Sequence, residues 1–141
     1  MEGELPRILV VDDEPDVCWI LENVLRPAGY VVTTTTRGAQ ALELLAEEHY
    51  AAAFVDAELP DLDGLELARL IRQRSSDTAV VLISGHFYQG DGAITEELHK
   101  GLCVGLVAKP FDLEEVRLMA CRAVERAREE NDAEGPYSPG G

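Results

Sequence analysis

The chain is poor in basic residues, with 12 Lys and Arg against 27 Asp and Glu, a formal net charge of −15 and a pI near 4.4. Proteins that bind nucleic acid directly normally present a basic patch, so this balance argues against a nucleic-acid partner. No hydrophobic run approaches the roughly 18 apolar residues of a membrane span, and the first residues lack the regions of a signal peptide. The composition favours a cytoplasmic protein with no membrane span.

Cysteine is also scarce. Cys18, Cys103 and Cys121 are odd in number and far apart, and no C-x-x-C pair is present. This pattern fits reduced thiols in the cytosol better than a disulfide framework or a zinc site. No glycine-rich nucleotide fingerprint follows an apolar run and no serine triad is evident, so nucleotide binding and acyl transfer lack support.

The 141 residues, 46% of them hydrophobic, suit one domain with one packed core. Apolar runs alternate with helical patterns five times, which predicts a parallel sheet with right-handed crossovers and helices on both faces. The predicted strands are Arg7–Val11, Tyr30–Thr35, Tyr50–Val55, Ala79–Ile83 and Val104–Ala108. The predicted helices are one ending before Pro27, then Gly38–His49, Leu65–Arg74, a short Ala93–Lys100 and a final Asp112–Glu130.

Charged residues follow three of these strands. Asp12 and Asp13 follow the first, Asp56 the third and Lys109 the fifth. Open α/β sheets bind ligands at the edge where these residues would meet. Three carboxylates would repel one another there unless a hard cation such as Mg²⁺, which takes oxygen ligands, lay among them. An Asp pair alone can be a helix cap and Lys-Pro alone a turn, but their joint occurrence favours phosphoryl chemistry on a carboxylate.

These motifs together resemble the receiver domain of bacterial two-component response regulators, in its single-domain, chemotaxis-regulator-like type. The resemblance extends over roughly Arg7–Arg128 and rests on Val10-Val11-Asp12-Asp13-Glu14-Pro15, Val55-Asp56, Leu59-Pro60, Asp63-Gly64, Ile83-Ser84-Gly85 and Lys109-Pro110-Phe111. It implies a flavodoxin-like (βα)5 doubly wound fold with strand order 2-1-3-4-5. Residues 1–130 would form the receiver domain and residues 131–141 a flexible tail.

The resemblance also implies the chemistry. Asp56 would accept a phosphoryl group from a sensor histidine kinase or a histidine phosphotransfer protein and signal to a downstream protein that the sequence does not identify. Mg²⁺ would be held by Asp13, Asp56 and the backbone carbonyl of Glu58, with Asp12 acting through a water molecule.

Three further residues would complete the site. Lys109 would pair with Asp56 at rest and with a phosphoryl oxygen afterwards, and the Ser84 hydroxyl would donate to another phosphoryl oxygen. The bond from Lys109 to Pro110 is expected to be cis. Glu58 and His86 would flank the path of attacking water and so modulate loss of the phosphoryl group.

The chain departs from the family pattern at Leu106, where receivers usually carry Tyr or Phe. Leucine cannot reproduce the inward rotation of that ring, so we expect output to depend on the Gly85–Gly92 loop instead, with Phe87 or Tyr88 as its movable apolar element. Trp19 lies off the apolar stripe of the first helix. It would either dock a partner or lean against the final helix or the amino end of the chain.

Two other functions stay open. The absent aromatic favours a non-phosphorylated pseudo-receiver that serves as a binding scaffold, while the full set of acids opposes it. A Mg²⁺-dependent phosphohydrolase would need a general acid two residues after its nucleophile, and Glu58 occupies that position. About ten residues follow the final helix, which predicts a stand-alone receiver or a fragment of a longer chain. The starting methionine favours the former.

Overall fold

A computed structural model describes the backbone of residues 5–85 and 101–134 and the side chains of residues 5–85 and 101–130. The strands are β1 Arg7–Val11, β2 Val31–Thr35, β3 Ala52–Asp56, β4 Ala79–Ser84 and β5 Gly105–Ala108. The helices of this described part are α1 Pro15–Leu25, α2 Gly38–Glu47, α3 Gly64–Arg74 and α4 Leu113–Glu134.

All five strands are parallel and form one sheet in the order β2-β1-β3-β4-β5. This confirms the predicted doubly wound fold and strand order. Strands β3 and β4 are buried along their whole length. Both of their faces are covered by helices, which explains why their sequences are continuous apolar runs rather than alternating patterns.

The sheet separates two apolar cores. One face packs against α1 and α4, through residues such as Leu21 and Val116. The other packs against α2 and α3, through residues such as Ala41 and Leu67. Because all five strands are parallel, every strand ends at the same edge of the sheet. That edge carries the charged residues.

Several element boundaries differ from those predicted, most of them by one or two residues. Strand β3 begins at Ala52 rather than at the buried Tyr50, whose carbonyl accepts a hydrogen bond from the Thr78 hydroxyl at 2.7 Å instead of joining the sheet. Helix α4 extends to Glu134, four residues past its predicted end, so the predicted tail begins inside a helix. The predicted helix Ala93–Lys100 and most of the Gly85–Gly92 loop lie outside the described residues.

Within the described part of the chain, no helix is long and apolar enough to span a membrane.

Candidate functional site

The carboxyl edge of the sheet brings three carboxylates together. Asp12 follows β1 and Asp56 is the last residue of β3, the strand paired with β1. Asp12 is fully buried, Asp56 is 5% exposed and Asp13 is exposed. Each can present an oxygen within 4.8 Å of the others. The predicted convergence of these residues therefore occurs in the folded chain.

Backbone hydrogen bonds orient the two buried carboxylates in the same way. Asp12 Oδ1 accepts from the backbone N–H of Glu14, and Asp56 Oδ1 accepts from that of Glu58, both at 2.9 Å. Both bonds span two residues, the pattern by which aspartate side chains fix the start of a turn. In each residue one oxygen is held by the backbone and Oδ2 is left for other partners.

Those Oδ2 atoms both face Lys109. Its ammonium lies 3.1 Å from Asp12 Oδ2, 3.5 Å from Asp56 Oδ2 and 2.7 Å from Glu14 Oε1. The Lys109 backbone N–H donates to the Ser84 carbonyl at 2.8 Å, which ties this residue to β4, and the bond to Pro110 is cis, as expected. The sequence predicted the pairing of Lys109 with Asp56 but not the closer contact with Glu14.

Burial makes ionisation of these acids unfavourable. Removal from water raises the pKa of Asp56 to about 7, and repulsion from Asp12 raises it further. The hydrogen bond from Glu58 and the attraction of Lys109 act in the opposite direction but are outweighed. Burial likewise raises the pKa of Asp12. Burial opposes the charge on Lys109, but the hydrogen bond to Glu14 and the carboxylates of Asp12 and Asp56 outweigh it and raise the pKa of Lys109.

This arrangement fits a bound divalent cation. Asp12 Oδ2 is buried and makes no hydrogen bond of ordinary geometry among the described residues, so its only compensation there is the ionic contact with Lys109. One ammonium cannot neutralise the clustered acids together with Glu14. A hard divalent ion among Asp12, Asp13 and Asp56 would supply the missing charge, and carboxylate oxygens are the ligands such ions take.

Gly64, the first residue of α3, controls the position of the backbone at Asp56. A Cβ atom placed on Gly64 would lie 2.1 Å from the Asp56 carbonyl oxygen and 2.6 Å from Ala57 Cα. The Gly64 N–H donates to the Ala57 carbonyl at 3.1 Å, which holds α3 against the end of β3. The sequence contains the Asp63-Gly64 motif but does not reveal the close backbone approach that requires glycine at this position.

The remaining predicted site residues differ in how deeply they are buried. Ser84 is fully buried at the end of β4, and its hydroxyl donates to the Gly85 carbonyl at 2.8 Å. Glu58 is exposed, and Leu106 is half-buried on β5 beside the core that packs against α2 and α3. His86 lies outside the described residues.

Cavity size does not mark this site. A cavity of about 590 Å³ lies at the opposite, amino edge of the sheet, where Arg7, Val31 and Ala51 line it. That cavity contains none of the clustered aspartates. We base the site on the convergence of charged groups, because the chemistry depends on ligand atoms rather than on volume.

Comparison with known proteins agrees with this geometry. A family profile described as the response regulator receiver domain matches residues 8–120. The DNA-binding transcriptional regulator NtrC of Escherichia coli is 32% identical over 123 residues, which cover 87% of this chain and 26% of that protein. The response regulator MprA of Mycobacterium avium is 33% identical over 131 residues, covering 91% of this chain and 55% of that protein.

Solved structures show the same relationship. The receiver domain of NtrX from Brucella abortus is 31% identical with a TM-score of 0.77, covering 84% of this chain and 98% of that one. The signal receiver domain of an HD domain-containing protein from Pseudomonas fluorescens has a TM-score of 0.81 at 27% identity, covering 94% and 96% of the two chains. The chain spans only about a quarter to a half of the curated relatives named above. The conserved fold, the converging acids and the profile match together establish that this chain belongs to the response regulator receiver family.

Proposed function

We propose that this chain is a phosphoacceptor whose Asp56 takes a phosphoryl group from the phosphohistidine of a sensor kinase or a histidine phosphotransfer protein. The observation that carries the proposal is the joint contact of the Lys109 ammonium with two buried aspartates, one of which ends β3. Phosphoryl transfer requires mainly positioning and charge neutralisation, and both are provided by this arrangement. A cytoplasmic location follows from such a partner.

In the proposed step, a carboxylate oxygen of Asp56 attacks phosphorus. An O–P bond forms, the P–N bond of the phosphohistidine breaks, and its electron pair goes to the imidazole nitrogen, which takes up a proton from solvent. The product is an acyl phosphate. Asp56 Oδ1 is held by the Glu58 N–H, so Oδ2, which faces Lys109, is the oxygen that attacks.

Mg²⁺ would be held by Asp13, Asp56 and the Glu58 carbonyl, with Asp12 acting through water, and it would neutralise charge that develops on the phosphoryl oxygens. Lys109 would move from the carboxylates toward one phosphoryl oxygen. The Ser84 hydroxyl, which now donates to Gly85, would turn to donate to another. Glu58 and His86 would then influence how fast water removes the phosphoryl group.

A kinase or phosphotransfer protein would contact α1 beside this edge. Trp19 on α1 is 64% exposed, so most of its surface is available to a partner. It borders a cavity of about 390 Å³ together with Pro15, Glu22 and Thr34. Exposed tryptophans are over-represented among the residues that contribute most to binding, which makes Trp19 the expected anchor.

The downstream partner that would receive the signal is not identified by these comparisons. Several relatives are named as transcriptional regulators, and the chain spans only part of their length. The prediction that the receiver residues themselves bind no nucleic acid rests on their acidic balance and stays a prediction. The receiver would instead signal through protein contacts.

Phosphorylation tests the proposal directly. The protein is incubated with Mg²⁺ and acetyl phosphate, and its intact mass is measured before and after mild acid or base. We expect a gain of one phosphoryl group, lost on treatment, in the wild type and none in Asp56→Asn. Asp77→Asn, which removes one carboxylate at the amino edge of the sheet, serves as the matched control and should be phosphorylated normally.

The alternatives give different results. The protein would be a pseudo-receiver if the wild type were not phosphorylated under these conditions or by a kinase and did not respond to beryllofluoride. Leu106 favours this hypothesis. Repeated release of phosphate from outside substrates at steady turnover would identify a phosphohydrolase. Phosphorylation of Asp56→Asn at the wild-type level would show that the assigned acceptor is wrong.

A further inference from the structure

The acidic segment between β3 and α3, residues 57–63, is joined to the first turn of α2 by Asp61. Asp61 Oδ1 accepts a hydrogen bond from Gly38 N–H, and Oδ2 accepts one from Ala39 N–H, each at 3.0 Å. The first N–H groups of a helix have no carbonyl partner within it. Arg37, at the N-cap position of α2, provides no side-chain cap. Asp61 therefore caps a helix that begins 23 residues earlier in the chain.

Packing supports the same junction. Gly38 is buried, and a Cβ atom placed on it would lie 3.1 Å from both Cβ and Cδ2 of Leu62. The hydrogen bonds from Ala39 and Gly38 lower the pKa of Asp61, so the capping carboxylate carries its charge at neutral pH. Negative charge at a helix N-terminus is favourable. Two hydrogen bonds thus join the segment after β3 to α2, and Leu62 lies so close to Gly38 that a side chain there would crowd it.

The same helical turn is linked through Thr35, the last residue of β2, to the segment that carries the other acids. Gln40 Oε1 accepts a hydrogen bond from the Thr35 hydroxyl, and the Thr35 carbonyl accepts one from Asp12 N–H at 3.1 Å. The first turn of α2 is therefore bonded directly to one acidic segment, through Asp61, and indirectly to the other, through Thr35. One carries Asp12 and Asp13, and the other carries Asp56 and Glu58.

We propose that Asp61 is a positioning residue for the cation site: by capping α2 it sets the spacing between the two segments that supply the ligands. Asp61 is not one of the three clustered carboxylates, so it acts through the backbone rather than by touching the ion. The inference rests on the proposed function, because it concerns how that site binds Mg²⁺.

The test compares Mg²⁺ affinity with phosphorylation in Asp61→Ala, Asp61→Asn and wild type. Affinity is measured by following backbone amide shifts by NMR during a Mg²⁺ titration, and the initial rate with acetyl phosphate is measured over the same Mg²⁺ range. We expect Asp61→Ala to raise the Mg²⁺ Kd roughly two- to fivefold, the scale set by loss of a helix cap. Its rate at saturating Mg²⁺ should equal that of the wild type.

Asp61→Asn keeps one oxygen acceptor but loses the charge, so its Kd should lie between the other two. Asp77→Ala is the control. Asp77 also has two partners, Ser75 and His49, and its removal changes net charge equally at the opposite edge of the sheet. Its Mg²⁺ affinity should match the wild type, even though it too loses stability.

The outcomes separate the two proposals. An unchanged Kd in both folded Asp61 variants would overturn the positioning role and leave the phosphoacceptor function intact. A rate that stays low at saturating Mg²⁺ would also overturn it, because Asp61 would then affect the chemical step itself. If the wild type neither binds Mg²⁺ nor becomes phosphorylated, the proposed function fails. Should Asp61→Ala not fold, the asparagine variant decides.

Discussion

Replacing Asp56 with asparagine should stabilise the metal-free protein while removing its phosphoacceptor. Asp56 is almost wholly buried, and burial raises its pKa from 3.8 to about 7. Between about pH 4 and 7 the folded protein therefore binds more protons at this residue than the unfolded chain does. The folded protein therefore favours the protonated form of Asp56. The stability that this protonation contributes is fully present below about pH 4 and is lost as the pH rises through 7.

The magnitude follows from the size of that shift. The difference of about three pKa units, at ~1.4 kcal/mol per unit, makes the ionised residue cost about 4 kcal/mol at pH 8. This cost already includes the attraction of the Lys109 ammonium 3.5 Å away. Asparagine removes the cost but buries an amide whose N–H groups need acceptors of their own. We therefore expect a net gain of about 2 kcal/mol in the free energy of unfolding at pH 8 and much less at pH 5.

Urea unfolding at pH 5 and pH 8, with and without Mg²⁺, measures this. Mg²⁺ should stabilise the wild type more than Asp56→Asn, because the wild type has the additional ligand. Asp77→Asn, in which a carboxylate paired with His49 is removed, should gain nothing at either pH. If Asp56→Asn is as stable as the wild type at pH 8, or less stable, Lys109 already compensates the buried carboxylates. Ionised Asp56 then does not destabilise the fold.

Three further outcomes are expected. Gly64→Ala should lower the free energy of unfolding by about 2 kcal/mol or more and slow phosphorylation, since its Cβ would meet backbone. Gly105→Ala, which meets only the Met119 side chain, should cost less in the same denaturation assay; equal costs would contradict the geometry. Glu14→Gln should lower the pKa of Lys109, measured by NMR of its side chain, because the closest carboxylate loses its charge; an unchanged pKa would show that Glu14 does not hold the lysine.

Several features of the fold could be read directly from the sequence. The continuous apolar runs ending in Asp12, Asp56 and Lys109 identify buried parallel strands, and parallel strands necessarily end at one edge. Once the alternation of strands and helices is recognised, the meeting of these residues follows without knowledge of any side-chain contact. The parallel sheet and the cluster of acids are for this reason confirmed. The strand order, which the resemblance to receiver domains implied, is confirmed as well.

Tertiary structure alone decided the contacts that join distant segments. Glu14 is an exposed side chain whose proximity to Lys109, 95 residues later, depends on how α1 and β5 are placed. Asp61 reads as one more acid in a loop, yet it caps a helix that precedes it by 23 residues. Local pattern cannot reveal such pairings, because it describes only the neighbours within one turn or strand.

The end of the last helix shows the same limit. Its apolar periodicity weakens near Glu130, so the sequence predicted an end there. In the fold, Glu130 accepts two hydrogen bonds at 3.1 Å from Arg72, which lies 58 residues earlier at the end of α3, and α4 continues to Glu134. The sequence determined which residues form strands and where their charges emerge. The packing of helices across the sheet decided which of those charges meet, because only the folded chain brings residues so far apart within hydrogen-bonding distance.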